Sequence, residues 1–304
     1  MSLSRRNFLA QSALLFSAAT LRPQFMLVQS NPLPAKPTFH LFTKPFVGLS
    51  YQEIAKHVAA IGYDGVEVPI RKKEISAGAD VLNEIPKMVE AYRNEKLEVV
   101  TLTTDLVEVS REARTEEILR AAQKSGVKRF RMGWYRYDNT KPIWPQLDSF
   151  RSKFHVLITL AKEIGIQPIY QNHSGAKMAG AGIWDIALLM KDYPVGDVAW
   201  AFDMMHAKVE GGLSWPTEFA LASDRLGVVH FKNYVWENHA TRSVSLASGL
   251  VNKESVDVLK KRGYVGPCLI HIEYLKGDIK QPDFLANVIK ASKDDLVTLQ
   301  NWWI

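Results

Sequence analysis

The sequence predicts a (β/α)8 barrel, a single α/β domain in which eight parallel strands alternate with helices. Three observations carry this prediction: eight short apolar runs along the chain, helical spacing of apolar residues between them, and a glycine where several of the helices should end. Several of the runs are hydrophobic almost without interruption. Parallel strands that are covered on both faces have this pattern.

The eight runs are the candidate strands, and they follow one another at the spacing of β-then-α units. They are Phe39–Thr43, Gly65–Ile70, Glu98–Thr103, Arg129–Trp134, Gln167–Gln171, Val198–Asp203, Gly227–Lys232 and Pro267–Glu273. Helical spacing fills the intervals, as at Ser50–Ile61, Glu116–Ser125, Leu147–Ile164 and Lys253–Arg262. Glycine is the preferred residue just past a helix end, and it stands there at positions 62, 126, 165 and 263. An open doubly wound sheet is the alternative, but no glycine-rich phosphate loop follows the first strand.

Length and composition fit one barrel domain over residues 31–304. The chain has 304 residues, 47% of them hydrophobic, and a formal net charge of +6. Three of the positive charges, Arg5, Arg6 and Arg22, lie in the first thirty residues, which hold no acidic residue. Without them the excess is only about +3, too small to predict a nucleic-acid partner. Cys268 is the lone cysteine, which excludes an intrachain disulfide and predicts a buried core residue.

The N-terminal residues 1–30 resemble an export signal followed by the start of a linker. Arg5 and Arg6 precede Phe8-Leu9 and a moderately apolar stretch, the pattern of a twin-arginine signal. That stretch is shorter than the roughly 20 apolar residues that span a bilayer, so stable membrane insertion is not expected. The sequence therefore predicts a protein exported to the periplasm, with an uncleaved amphipathic tail as the alternative.

Four apolar runs in the second half of the chain end in residues of metal-ligand type. The segments are Ile169–His173, Trp200–Asp203 with His206 just beyond, Val228–Asn233 and Leu269–Glu273. The carboxyl ends of barrel strands meet at one mouth, where the active sites of such barrels lie. The polar residues of the four segments are therefore expected to converge there as a divalent-metal site.

These strand ends resemble the sugar phosphate isomerase/epimerase superfamily, the xylose isomerase-like barrels. The resemblance covers Phe39 to about Tyr274 and rests on Gly62–Val68, Asn172-His173, Phe202-Asp203 with His206-Ala207, His230–Asn233 and Gly263–Pro267. It implies a divalent ion held by Gln171, Asp203, His230 and Glu273. One histidine among oxygen ligands suits Mn²⁺ or Mg²⁺, with Zn²⁺ and Co²⁺ as alternatives. Gln171 departs from the family, which has a glutamate there, and an amide adds no charge and accepts no proton at neutral pH.

The resemblance also implies catalytic and substrate-binding roles. Glu273 is the metal-bound base that moves a proton beside a carbonyl. Strand alternation places Lys232 on the same side as His230, where it is expected to bind a substrate oxygen or stabilise the enolate; the alternative is an ion pair with Asp203 or Glu273. Gln171 cannot serve as the second base, so His173, His206 and Glu67 are the candidates to replace it. His173 is taken as catalytic. The predicted substrate contacts are Glu67, His206, Arg131 and the ring of Trp236.

The function implied is that of an exported, metal-dependent isomerase or epimerase acting on an unphosphorylated sugar or sugar derivative through an enediolate. One alternative is a lyase that eliminates from 3-keto-glycosides, because a single base beside a polarised ketone is enough for that reaction. Another is a non-catalytic sugar-binding barrel. A phosphodiesterase like the family's endonuclease branch is disfavoured by the small net charge and by Gln171. The closing pair Trp302-Trp303 leaves a homo-oligomer open.

Overall fold

The computed structural model describes residues 36–304, apart from residue 73 and residues 76–78. Eight parallel strands form a closed barrel, as predicted. The strands are β1 (Thr38–Phe42), β2 (Gly65–Pro69), β3 (Glu98–Thr103), β4 (Arg129–Arg131), β5 (Gln167–Gln171), β6 (Ala199–Asp203), β7 (Leu226–Phe231) and β10 (Pro267–Ile270). Each strand pairs with its neighbour in the chain order, and β1 closes the barrel against β10.

Helices cover the outside of the barrel. They are α1 (Tyr51–Ile61), α2 (Val81–Asn94), α3 (Thr115–Lys124), α4 (Ile143–Ile164), α5 (Trp184–Met190), α6 (Met204–Gly211), α7 (Trp215–Ala222), α8 (Lys253–Lys261) and α9 (Pro282–Trp303). Ser50 and Glu53 form a reciprocal capping box at the start of α1. Gly62 and Gly165 end α1 and α4 in the left-handed conformation, which explains the glycine at both positions.

Five strands end earlier than the sequence predicts. β1 and β2 each end one residue early, at Phe42 and Pro69, and three others also end early. β4 ends at Arg131 instead of Trp134, β7 ends at Phe231 instead of Lys232, and β10 ends at Ile270 instead of Glu273. The last ladder bond of β10 is donated by His271 N to Phe231 O, and β7 itself ends there. Glu273 therefore lies in the loop beyond the barrel.

The core has two parts, as this fold requires. Small and branched side chains fill the barrel interior: Val100, Ile169, Ala199, Ala201, Val228 and Leu269. A larger apolar layer lies between the sheet and the helices and includes fully buried Trp200 and Phe154. Cys268 is buried in this layer, and burial raises the pKa of its thiol. The barrel is thus filled, and its polar chemistry is confined to one mouth.

A hairpin and two loops border the mouth. After β7 the chain forms the antiparallel pair β8 (Asn233–Glu237) and β9 (Ala240–Val244). The loops after β1 and β10 enclose a cleft of about 530 Å³, and Glu273 is one of the residues that line it. Within residues 36–304, apart from the four undescribed positions, no helix is long and apolar enough to cross a membrane. The predicted export signal lies outside the described residues.

Candidate active site

A buried ionic cluster centred on Glu67 forms the inner wall of the site. Glu67 is fully buried, and its Oε1 accepts hydrogen bonds from Arg131 Nε at 2.8 Å and from the Thr103 hydroxyl. Its Oε2 lies 2.9 Å from His271 Nε2 and 3.2 Å from His230 Nε2. Burial alone would raise the pKa of Glu67, but His230, Arg131 and His271 hold it well below the usual range. Glu67 is therefore an ionised carboxylate whose two oxygens are fully engaged.

Arg131 determines which way the amide of Gln171 faces. Its Nη1 donates to Oε1 of Gln171. A guanidinium can only donate hydrogen bonds, so the amide oxygen must face Arg131. The amide nitrogen of Gln171 then lies 2.8 Å from Asp203 Oδ2 and 2.9 Å from His230 Nδ1. Gln171 thus presents hydrogens, not a lone pair, to the centre of the site.

Asp203 lies at the point where strand β6 gives way to helix α6. It is fully buried and caps that helix, because its Oδ1 accepts from His206 N at 3.1 Å. Asn172 holds its backbone, with Oδ1 accepting from Asp203 N and Nδ2 donating to Asp203 O. Burial opposes ionisation, but Lys232 and the neighbouring histidines hold the pKa of Asp203 far below its usual range.

Lys232 joins two carboxylates at the mouth. Its Nζ lies 3.4 Å from Asp203 Oδ2 and 3.2 Å from Glu273 Oε2, and only 6% of its side chain is exposed. Burial would lower the pKa of Lys232, but the two carboxylates raise it above the usual value. Lys232 also holds the pKa of Glu273 well below the usual range. Glu273 keeps 30% of its side chain exposed, so this carboxylate faces the cleft.

Hydrogen bonds fix the tautomers of two neighbouring histidines, whose rings lie 4.0 Å apart. His173 Nδ1 lies 2.9 Å from the carbonyl oxygen of Ser174, which can only accept. His173 Nδ1 therefore carries the proton, and Nε2 keeps a free lone pair. Ser174 N donates to His206 Nδ1 at 3.1 Å, so the neutral ring of His206 carries its proton on Nε2.

The two rings are neutral at pH 7. Burial, and then the charge of Lys232, lowers the pKa of His173 to about 4, and the same two causes place the pKa of His206 well below its usual value. His206 Nε2 is buried, has no hydrogen-bond partner and lies 3.8 Å from Asp203 Oδ2. The site thus offers an acceptor on His173 and an unused donor on His206.

The predicted metal ligands come together only in part. Gln171, Asp203 and His230 are mutual neighbours, whereas Glu273 lies with Lys232. The lone pairs of Asp203 and His230 that face the centre already accept from Gln171, and the lysine ammonium lies against the carboxylates. The divalent ion stays a prediction from the sequence. With the donors oriented as described, this set does not fit it.

A second trio offers three ligand atoms within 4.8 Å of one another: Glu67, His230 and His271. Both histidine Nε2 atoms face Glu67 Oε2, which is ionised and can only accept. His230 Nδ1 accepts from the amide, so its Nε2 carries the proton, and His271 Nε2 must donate as well. His271 and Arg131 are hydrogen-bonded to Glu67, whereas His230 Nε2 lies 3.2 Å from Glu67 Oε2 without a hydrogen bond. Both histidine Nε2 atoms carry hydrogens, so neither presents a lone pair to an ion.

The other predicted substrate contacts are Arg131, Glu67 and Trp236. Arg131 is buried in the ion pair with Glu67, which leaves neither free for a substrate in this arrangement. Trp236 lies on hairpin strand β8, is 53% exposed and stacks edge-on against Tyr234. Its ring makes no described contact with the residues of the ionic cluster. These substrate roles stay predictions.

Two residues at the mouth are absent from the predicted site. Trp134 is half-buried beside it, with its ring centroid 4.6 Å from that of His173 and 5.3 Å from the Arg131 guanidinium carbon. Its position at the end of the predicted strand Arg129–Trp134 was the available signal. His271 follows β10 and links Glu67 to Glu273, whose Oε1 lies 4.0 Å from His271 Nδ1. Its chain position gave no such signal, because a histidine inside an apolar run resembles a core residue.

Comparisons with known proteins agree with the fold. No curated protein matches the chain. Similar solved structures include a xylose isomerase domain protein from Planctomyces limnophilus (TM-score 0.65, 15% identity, 88% of this chain and 98% of that one). Another is the 3-keto-D-glucoside 4-epimerase of E. coli without ligand (TM-score 0.63, 18% identity, 88% of this chain and 100% of that one). A third is the D-allulose 3-epimerase of a Methylomonas species (TM-score 0.63, 15% identity, 88% of this chain and 99% of that one). Residues 55–293 match the family model described as a xylose isomerase-like TIM barrel, and the chain belongs to that family.

Proposed function

We propose that this protein is an enzyme that moves a proton on the carbon beside the carbonyl of an unphosphorylated sugar or sugar derivative, an isomerase or epimerase. One observation carries the proposal: the ionised Glu273 carboxylate borders the cleft, and the ammonium of Lys232 lies 3.2 Å from that carboxylate. A base and a cation side by side are what enediolate formation needs.

Glu273 is the base in this proposal. Lys232 keeps it deprotonated at neutral pH, so it is ready to accept a proton, although a depressed pKa makes it a weak base. The weakness is offset when the carbonyl oxygen gains negative charge, because the ammonium of Lys232 then interacts with that oxygen instead. Asp203, on the other side of Lys232, holds the ammonium in place throughout.

His173 and His206 are the other two residues that act in the proposed reaction, beside Glu273 and Lys232. Gln171 cannot carry a proton between substrate atoms, but His173 Nε2 can accept one from a sugar hydroxyl. His206 Nε2–H is a buried donor without a partner, and a substrate oxygen would satisfy it. Isomerisation needs only one carboxylate base and a hydroxyl-to-hydroxyl proton transfer. The described residues favour it over a two-carboxylate epimerisation.

Family membership and the names of similar structures support the substrate class, since two of them are epimerases that act on a keto-glucoside and a ketohexose. At 15 to 18% identity these structures establish the fold alone. The reaction must therefore be tested on the chain itself.

The test is NMR in D₂O with a panel of free aldoses, ketoses and 3-keto-glycosides. Solvent deuterium should enter one carbon-bound position of the accepted sugar. Glu273→Gln should abolish the exchange while leaving the fold intact, because a part-exposed amide replaces a part-exposed carboxylate. Glu237→Gln is the matched control, since Glu237 is exposed on β8 and forms an ion pair with Arg242, away from the site. Tight binding of a sugar without any deuterium exchange would refute the proposal.

A lyase acting on 3-keto-glycosides is the second candidate. A single base next to a polarised ketone suffices for β-elimination, and Glu273 is the carboxylate of the described cluster that keeps an exposed fraction. The same NMR spectra separate the two reactions, because elimination releases the aglycone and creates a new double bond.

A further inference from the structure

We infer that this site works without a divalent ion and that the ammonium of Lys232, together with the amide of Gln171, takes the place the ion would have. The catalytic part of this inference rests on the proposed function. The binding part does not, since it concerns only which atoms the described donors already satisfy.

The first argument is the direction of the hydrogens. Arg131 forces the Gln171 oxygen away from the centre, so the Gln171 nitrogen lies 2.8 Å from Asp203 Oδ2 and 2.9 Å from His230 Nδ1. The single lone pair of the His230 ring, on Nδ1, and one of the lone pairs of Asp203 Oδ2 are therefore already taken by N–H groups. An N–H group and a metal ion cannot share one lone pair. The amide therefore satisfies the ligands that it was expected to join.

The second argument is the balance of charge. The cluster contains three carboxylates, Glu67, Asp203 and Glu273, against two permanent cations, Arg131 and Lys232. These five groups sum to one negative charge, and the carboxylate with the exposed fraction is Glu273. Each buried carboxylate already has a cation within 3.4 Å. An added divalent ion would be repelled by Arg131 and Lys232 at short range.

The third argument links position 171 to position 232. A glutamate at 171 would turn a carboxylate oxygen toward Asp203 with no hydrogen between them, an arrangement that needs a metal ion or an extra proton. Glutamine supplies that hydrogen, and Lys232 supplies the positive charge. Gln171 and Lys232 together thus supply the hydrogen and the positive charge that replace a divalent ion at this site.

The chemical consequence is that the carbonyl is polarised by a lysine. Glu273 accepts the proton from the carbon, the C–H bond pair becomes the C=C bond of the enediolate, and the carbonyl π pair moves to the oxygen. Lys232 N–H donates to that oxygen. Glu273 then returns the proton to the former carbonyl carbon, which regenerates the carboxylate. The hydroxyl on the first carbon loses its proton as its O–H bond pair becomes the π pair of the new carbonyl, and His173 Nε2 passes that proton to the oxygen beside Lys232. No oxidant, reductant or co-reactant is required.

The test measures metal binding directly. Wild-type protein is dialysed against EDTA, and Mn²⁺ binding is followed by titration calorimetry and by the electron paramagnetic resonance signal of free Mn²⁺. We expect negligible retained metal by elemental analysis and no effect of EDTA or Mn²⁺ on the thermal midpoint. Gln171→Glu combined with Lys232→Met adds a carboxylate and removes a cation, so Mn²⁺ affinity should rise at least about 10-fold over wild type. Gln171→Glu alone is the second variant if the double variant does not fold.

The matched control is Gln167→Glu, the same substitution at the opposite end of strand β5, where the side chain contacts Arg129 and Gly196 instead. It should bind Mn²⁺ no better than wild type. About one equivalent of tightly held divalent metal in the wild type, lost to EDTA together with thermal stability, would overturn the inference.

Isotope exchange separates this outcome from that of the proposed function. Exchange that persists in EDTA supports both proposals. Exchange that EDTA abolishes and Mn²⁺ restores overturns the inference and leaves the proposed function standing. Absence of exchange in a protein that binds no metal refutes the proposed function and leaves the binding part of the inference intact.

Discussion

Replacing Lys232 with methionine should cost this barrel about 3 to 5 kcal/mol of unfolding free energy at pH 7, the range seen when one partner of a buried ion pair is removed. Methionine keeps the length of the side chain and removes the ammonium. Asp203 is then left fully buried without its cation. At an effective dielectric constant of about 20, each Nζ–carboxylate contact of 3.2 to 3.4 Å is worth roughly 5 kcal/mol before desolvation. Desolvation of the ammonium offsets part of that gain.

The assay is urea unfolding of wild type and variants at pH 7. Lys162→Met is the matched control: its Nζ lies only 2.8 Å from Asp197 Oδ2, but 62% of its side chain is exposed, so the loss should stay below about 1 kcal/mol. A double-mutant cycle with Asp203→Asn should show a coupling of at least about 1.5 kcal/mol. If Lys232→Met costs no more than Lys162→Met, and the cycle shows no coupling, the electrostatic account of the cluster is refuted.

Three further predictions concern other parts of the molecule. Burial and Glu210 raise the pKa of Glu218 to about 7, so its contribution to stability is present at low pH and is lost as pH rises through 7. Glu218→Gln should therefore be more stable than wild type by about 1 to 2 kcal/mol at pH 8.5 and equal to it near pH 4.5, as read from thermal midpoints; equal midpoints at pH 8.5 would contradict this. Asn233→Ala removes a buried side chain that bonds four backbone groups and should cost about 3 kcal/mol in urea unfolding, unlike Asn139→Ala at an exposed loop. His206→Phe should raise KM for the accepted sugar at least about 10-fold with little change in the far-ultraviolet spectrum, and an unchanged KM would exclude His206 from substrate binding.

The barrel could be predicted from the sequence because each strand corresponds to a short apolar run that is visible locally in the chain. Apolar runs with helical patterns between them recur eight times, and each run overlaps one barrel strand. The strand ends were less predictable. The run at Pro267–Glu273 stays apolar in alternation past Ile270, but β7 ends at Phe231 and gives it no further partner. Pairing partners far along the chain decide where a strand ends.

The site could be read only as a set of residue types at strand ends. The convergence of Gln171, Asp203 and His230 followed from their positions. The orientation of the Gln171 amide could not be predicted from position, because it depends on a hydrogen bond from Arg131, forty residues earlier on a different strand. The role of His271 was equally hidden, since its partner Glu67 comes from β2. Hydrogen-bond polarity is a property of the assembled cluster.

The contact between His271 and Glu67 spans 204 residues, and the β1–β10 pairing that closes the barrel is of similar range. Contacts of such separation carry a large loop-closure cost and form late unless earlier structure brings their ends together. The cluster therefore cannot exist in a chain that has formed only its first seven barrel strands. During refolding, the site and the closed barrel should therefore form in the same kinetic phase. A folding intermediate without the β1–β10 pairing should have no activity.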